Sequence, residues 1–239
     1  MLVLIGVLFI SIASVYAESA KEYYDSGVAY YNQGDLPQAI SDFTKAIEIN
    51  PNYADAYYNR GLVYYKQGNL PQAISDWTKV IAINPSFTEA YNNRGNAYDI
   101  QGNLPQAISD FNKAIEINPN EARAYYNRGL VYYKQGNFTQ AIFDYTKAIE
   151  NNPNYEDAYY NRGNVYAQQG NLPQAISDFS KAIEINPNFA NTYSSRGLAY
   201  YFIGEYDKSW ADVHKAESLG FVVDAAFVAE LKKASGRDK

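Results

Sequence analysis

Two side chains with chemistry to offer return at a fixed interval. Aspartate stands at Asp42, Asp76, Asp110, Asp144, Asp178 and Asp212, and arginine at Arg60, Arg94, Arg128, Arg162 and Arg196. Carboxylates brought together can exchange protons, and a row of guanidinium groups can hook an anionic ligand. The interval is 34 residues in every case, so each residue type belongs to one face of a repeated element and not to a single cleft. The slot of the arginines holds Ser26 in the first repeat. Arginine is thus missing only where no earlier repeat precedes it. That pattern predicts a structural ladder in which each aspartate pairs with the arginine of the next repeat, as Asp42 with Arg60 and Asp76 with Arg94. A row of ligand hooks is the competing reading.

Other chemistry finds little to build on. His214 is the only histidine and cysteine is absent, so neither a transition-metal site nor any cofactor is expected. No nucleophile-elbow motif accompanies His214, and no enzyme activity is expected. The recurring glycines act as packing and capping elements and form no phosphate loop. Asn137-Phe138-Thr139 matches a glycosylation sequon, but in a slot that other repeats fill with Asn-Leu-Pro, and repeat drift accounts for it. The formal net charge is −6 and no Lys/Arg-rich run appears, so the electrostatic footprint of a nucleic-acid binder is missing. Absent cysteine excludes disulfides and is compatible with an oxidising compartment.

The elements that must position these residues follow from the same period. Each unit is numbered from Ala20, Ala54, Thr88, Ala122, Glu156 or Ala190. Position 15 is glycine in all six (Gly34, Gly68, Gly102, Gly136, Gly170, Gly204) and predicts a left-handed helix end. A first helix is expected over positions 1–14 and a second over 17–30, with Asn69 capping and Gln72 reaching back in the second unit. Asn84-Pro85 and its equivalents should end the second helix, because a residue before proline avoids the helical region. Ser86 with Glu89, and Asn52 with Asp55, are expected to cap the next first helix. Tyr57, Gly61 and Tyr64, then Leu70, Ala73, Ile74, Trp77, Val80 and Ile81, recur at helical spacing as two packed stripes. Gly61 and Ala73 are small where two backbones should approach closely.

This pattern closely resembles the tetratricopeptide repeat family. The matching residues in the second unit are Tyr57, Gly61, Tyr64, Ala73, Trp77 and Pro85, with Val80 where the family prefers alanine. The sixth unit departs most, with Ser209, Val213 and Phe221 at signature positions, as a terminal repeat would. The resemblance implies an all-α fold, a right-handed α-solenoid of helix-turn-helix repeats with a C-terminal capping helix. The expected domains are a signal peptide or N-terminal anchor over 1–17, six units (20–53, 54–87, 88–121, 122–155, 156–189 and 190–223), and a capping helix and tail over 224–239. In that cap Phe227, Val228 and Leu231 should face inward, and Lys232 and Lys233 outward.

The family's first helices line a concave groove. Carried onto this sequence, the groove presents Tyr58, Tyr126 and Tyr160 at position 5, Asn59, Asn93, Asn127 and Asn161 at position 6, and Asn96 and Asn164 at position 9. Asparagine amides can both donate to and accept from a peptide backbone, and tyrosine adds rigid contact area. Residues fixed by duplication and facing solvent are the plain alternative. Some relatives clamp acidic C-terminal tails with groove lysines and arginines. Here Lys21, Arg123, Lys66 and Lys134 are opposed by Asp55, Glu89 and Asp157, so such a clamp is not expected.

Met1 to Ala17 carries no charged side chain and ends in small residues at Val15-Tyr16-Ala17, like a secretory signal cleaved after Ala17. An uncleaved anchor is the rival, marginal in length against the ~20 apolar residues that span a bilayer. The expected function is an exported, periplasmic or secreted interaction scaffold that holds a protein or peptide partner in the groove. The alternatives are a membrane-tethered assembly factor and a carbohydrate-binding surface.

Overall fold

A computed structural model describes residues 19–237, which contain thirteen helices and no strand. The expected signal peptide or anchor over 1–17 lies outside the described residues. The helices alternate as first and second members of hairpins. α1 (19–33) and α2 (Leu36–Ile49) are followed by α3 (Ala54–Lys66), α4 (Leu70–Ile83), α5 (Thr88–Ile100) and α6 (Leu104–Ile117). Then come α7 (Ala122–Lys134), α8 (Phe138–Asn151), α9 (Glu156–Gln168), α10 (Leu172–Ile185), α11 (Ala190–Phe202), α12 (Tyr206–Ser218) and α13 (Ala225–Ser235). They form two compact units that divide after Pro119, with α1–α6 in the first and α7–α13 in the second. Within each unit, helices pack against their neighbours in chain order.

Each hairpin turns where the chain demands it. Gly68 takes φ +76°, and the equivalent glycines do likewise. That conformation strains any side chain but costs glycine little. It lets Asn69 N–H reach back to the Tyr64 carbonyl at 2.8 Å and close the first helix. Pro71 sits in the first turn of α4, where its missing N–H has no intrahelical role.

The helix starts differ from the sequence expectation. α3 and α5 begin behind Tyr53 and Phe87, neither of which makes a side-chain cap. Proline instead holds Asn84 in an extended conformation. Its side-chain oxygen then accepts from the Ser86 N–H at 3.1 Å and the Ser86 hydroxyl at 2.8 Å. Asn50 accepts from the Asn52 N–H in the same way, at 3.1 Å. These Asx turns hold Asn52 and Ser86 by their own donors, in the turn ahead of the N-cap residues Tyr53 and Phe87. Asn69 also makes no side-chain cap, whereas Asp35 and Asn137 accept from the N–H of Gln38 and Gln140.

The hairpins close on an aromatic residue laid over a glycine. Phe43, Trp77, Phe111, Tyr145 and Phe179 are buried. A methyl group at Gly61 would stand 2.6 Å from Trp77 Nε1. Gly61→Ala would gain up to about 1 kcal/mol of helix propensity. Overpacking costs about 1–3 kcal/mol, so a net loss of stability is expected from the denaturation midpoint. A gain in midpoint would show that the ring can move aside. In the last hairpin Val213 replaces the aromatic, and Ser209 Oγ donates to the Gly197 carbonyl at 2.7 Å.

α13 ends the second unit as the sequence leads one to expect. Asp224 accepts from the Phe227 N–H at 2.8 Å. Leu231 is buried among Tyr193, Trp210, Val213, Ala216 and Val223, with Phe227 and Val228 packed beside them.

Candidate partner-binding face

The ladder exists, but its pairing is not the one the sequence suggested. Each arginine binds the aspartate of its own hairpin. Arg60 holds Asp76 through two bonds of 2.8 Å, and Arg94 holds Asp110 at 2.8 and 2.7 Å. Arg128–Asp144, Arg162–Asp178 and Arg196–Asp212 repeat the fork. Positions 7 and 23 face each other across a single hairpin, which brings them closer than the next repeat can. What crosses four of the junctions is a charge-assisted bond from the guanidinium Nη1 to a neutral hydroxyl of the preceding repeat. Arg60 reaches Thr44 at 2.9 Å, Arg94 Thr78 at 3.0 Å, Arg162 Thr146 at 2.9 Å and Arg196 Ser180 at 2.9 Å. In the first repeat Ser26 donates to Asp42 at 2.7 Å in the arginine's place. The guanidinium also lies between two tyrosines of its own helix, as Arg94 does at 5.8 Å from Tyr91 and 6.0 Å from Tyr98. Burial pushes the Asp110 and Asp144 carboxyls above the usual range, against the pull of Arg94 and Arg128. These groups are committed to scaffold and leave no row of hooks.

The expected groove residues divide between the units. Tyr58, Asn59, Asn93 and Asn96 lie in the first, and Tyr126, Asn127, Tyr160, Asn161 and Asn164 in the second. All nine are half-buried. The tyrosine rings lie against the aromatic residue that precedes the next first helix: Tyr58 on Phe87 at 5.0 Å, Tyr126 on Tyr155 at 4.8 Å and Tyr160 on Phe189 at 5.2 Å. The hydroxyls of Tyr24, Tyr58 and Tyr126 meet the asparagine of the next repeat. Asn59 Nδ2 donates to Tyr24 at 2.9 Å, Asn93 to Tyr58 at 3.0 Å and Asn161 to Tyr126 at 2.9 Å. Burial, with the Asp157 carboxylate adding to it, raises the Tyr126 hydroxyl well above the ordinary tyrosine range, so it remains neutral. Tyrosine and asparagine are therefore joined across the junction, where the sequence suggested separate ligand contacts.

That junction fixes what the amides can offer. Asn59 and Asn161 give their second N–H to the Asp55 and Asp157 carbonyls at 3.1 and 3.0 Å. A carbonyl only accepts, so the amide orientation is set and both donors are spent. The side-chain oxygen is what remains for a partner. Asn127 and Asn164 stand on the same helices, α7 and α9, at positions 6 and 9.

Two sockets open beside these residues that the sequence reading missed. In the first unit Leu62, Tyr65, Trp77, Asn93 and Asn96 enclose about 80 Å³. In the second, Ala167, Leu172, Leu198 and Phe202 line about 220 Å³. The larger one arises because position 12 is Ala167, where Tyr31, Tyr65, Tyr133 and Tyr201 fill the slot elsewhere. That substitution was the readable signal. Phe202 on its rim is 65% exposed.

Larger, open hollows lie away from the expected groove residues: Pro51, Asn52, Tyr57, Lys79, Ala82 and Ile83 line about 650 Å³, and Arg128, Tyr132, Thr139, Gln140, Phe143 and Asp144 about 350 Å³. No cluster of His, Cys, Asp or Glu among them could hold a metal, and no described helix is long and apolar enough to cross a membrane. His214 lies exposed against Trp210, with ring centroids 5.4 Å apart.

Comparison with known proteins agrees with this geometry. A tetratricopeptide repeat model matches residues 54–87, 122–155 and 156–189, a TPR repeat model matches 27–68 and 100–136, and a further tetratricopeptide model matches 77–109. No curated protein sequence matches the chain. Among solved structures it is similar to MamA, with 30% identity and a TM-score of 0.65 over 73% of this chain and 95% of that one. YrrB, a TPR protein with an unusual peptide-binding site, is 27% identical with a TM-score of 0.61, over 74% of this chain and 91% of that one. PilF of Pseudomonas aeruginosa, 20% identical with a TM-score of 0.72 over 91% and 92%, shares the fold. Helical hairpins of one period, glycine beneath an aromatic ring in each of the first five, and family models running from residue 27 to 189 lead to one statement: the chain belongs to the tetratricopeptide repeat family.

Proposed function

We propose that the chain is an exported scaffold whose first-helix faces hold an extended peptide or protein segment. The observation that carries this reading is the pair of position-6 asparagines, Asn59 on α3 and Asn93 on α5, each pinned by a tyrosine hydroxyl. Fixed side chains of one kind on successive first helices suit the regular N–H groups of an extended backbone. The sockets beside them suit side chains. Similarity to YrrB, a peptide-binding protein by its description, supports the same reading. Export rests on Met1–Ala17 alone. Intact-mass measurement of exported protein should give a chain starting at Glu18, and a chain retaining Met1 in the membrane fraction would replace export by tethering.

The groove is tested by selecting peptides from a random displayed library and measuring variants. Asn93→Ala and Asn161→Ala are each expected to weaken a selected peptide by about 0.5–1.5 kcal/mol, the value of one hydrogen bond. Both variants also lose a tyrosine partner, so affinity is compared at temperatures well below each melting point. Arg128→Ala is expected to lower the melting temperature far more than the affinity. Binding lost with Arg128→Ala at full stability, with normal binding by both asparagine variants, would place the site elsewhere. Selective capture of oligosaccharides, with no peptide selected, would make the face a carbohydrate-binding surface.

A further inference from the structure

Resting on the groove reading, we propose that the second unit selects a partner segment by an aromatic side chain, whose ring seats in the socket between Ala167 and Phe202. That socket is the place of a missing tyrosine. Where position 12 keeps its tyrosine, the ring fills the space between its own hairpin and the next first helix. Tyr31 and Leu36 pack against the cluster that holds Val63, and Lys66 stands over the Tyr31 ring at 5.2 Å. Tyr133 lies on Phe138 at 5.9 Å, against the cluster that holds Val165, and its hydroxyl meets Gln168 Nε2. At the junction of the fifth and sixth repeats the same positions are Leu172, Ala199 and Phe202, and all three line the socket. Ala167 takes the ring away. Ala199 widens the gap by two methyl groups, since Val63 and Val165 hold its position at the other two junctions.

Size and charge name the occupant. An apolar cavity of about 150 Å³ accepts benzene, and this socket encloses about 220 Å³. Its walls are apolar but for Gln168 and Ser195, neither of them charged. A lysine, arginine or carboxylate side chain would lose its hydration there and find no counterion. An aromatic ring instead meets Phe202 at the corner where Lys66 stands over Tyr31, and paired rings gain more than their buried area alone provides.

The mouth of the socket is open to such a segment. Phe202 is 65% exposed and Leu198 39%. Position 13 carries the polar Asn32, Lys66, Lys134 and Gln168 in four of the other five repeats, so an exposed phenylalanine there is a departure in keeping with contact to a partner. Ser195 joins the socket to the groove. It stands at position 6 of the sixth repeat, in the row of Asn127 and Asn161, so a backbone that follows that row passes the socket.

The experiment is display selection of a random peptide library on the chain starting at Glu18, which keeps every described helix, with Ala167→Tyr as the counter-target. An aromatic residue at one fixed peptide position should be enriched. Ala167→Tyr, which restores the ring of the other repeats, should melt no lower and yet bind a selected peptide at least about tenfold more weakly. Ala199→Val narrows the same space with a much smaller change and should weaken that peptide by about tenfold. Aliphatic or charged enrichment, or aromatic peptides that both variants bind normally, would overturn the aromatic socket; the groove would still stand if Asn161→Ala weakened those peptides. A dimer in sedimentation that Ala167→Tyr dissolves would make a second copy of the chain the occupant and overturn the proposal. No enrichment at all would overturn the groove with it.

Discussion

Asp110→Ala is expected to cost about 3–5 kcal/mol of stability, because it leaves the Arg94 guanidinium without its counterion. The Arg94 and Asp110 side chains are only 16% and 7% exposed. Two of the guanidinium nitrogens lose their acceptors, and only the Thr78 bond at 3.0 Å remains. Replacing both partners with apolar residues of similar volume, as in Arg94→Met with Asp110→Leu, should recover most of the loss. The double-mutant cycle identifies the true partner. Arg94→Ala and Asp110→Ala should couple by up to about 3 kcal/mol, whereas Arg94→Ala and Asp76→Ala should add within about 0.5 kcal/mol. Strong coupling to Asp76 would restore the cross-repeat ladder that the sequence suggested.

Ending the chain at Val223 is the second large effect. It removes α13 and uncovers Trp210, Val213 and Ala216. Leu231→Ala alone should cost about 2–5 kcal/mol, since that side chain is fully buried. The truncation should exceed that loss and also promote association, because an uncapped repeat array presents an apolar end. Trp210 loses its Ser235 partner, 3.0 Å from its indole nitrogen, so its fluorescence reports the change. Melting temperature and sedimentation check the outcome. A monomeric truncation with an unaltered melting temperature would reduce α13 to a tail.

The hairpins were legible because their determinants are local. Gly68, Pro71 and Asn84-Pro85 act through backbone conformation within a few residues, and the helices start and stop beside them. The partners of Arg60 were not. Asp76 and Asp42 stand on either side of it, and a 34-residue period repeats both separations equally well. Only the geometry of a hairpin against that of a junction decides. Ser26 pointed the wrong way because what an arginine takes from the preceding repeat is a hydroxyl, not a carboxylate. The candidate face was half legible. Asn59, Asn93 and Asn161 each follow a tyrosine by 35 residues, and that offset hid the bond that each amide donates to its hydroxyl. The larger socket escaped notice because it depends on a small residue, and Ala167 offers no chemistry of its own.

The closure of each ion pair within its own hairpin bears on how such a chain grows. A segment duplicated or lost at the 34-residue period takes arginine and aspartate together, so no buried charge is stranded at the new seam. The seam itself takes a neutral polar side chain: Thr44, Thr78, Thr146 or Ser180 accepts there from the arginine, and Asn112 fills the same slot in the third repeat. Copying errors of whole repeats are therefore electrostatically silent, and the array can lengthen by unequal recombination while each new copy drifts on its exposed face.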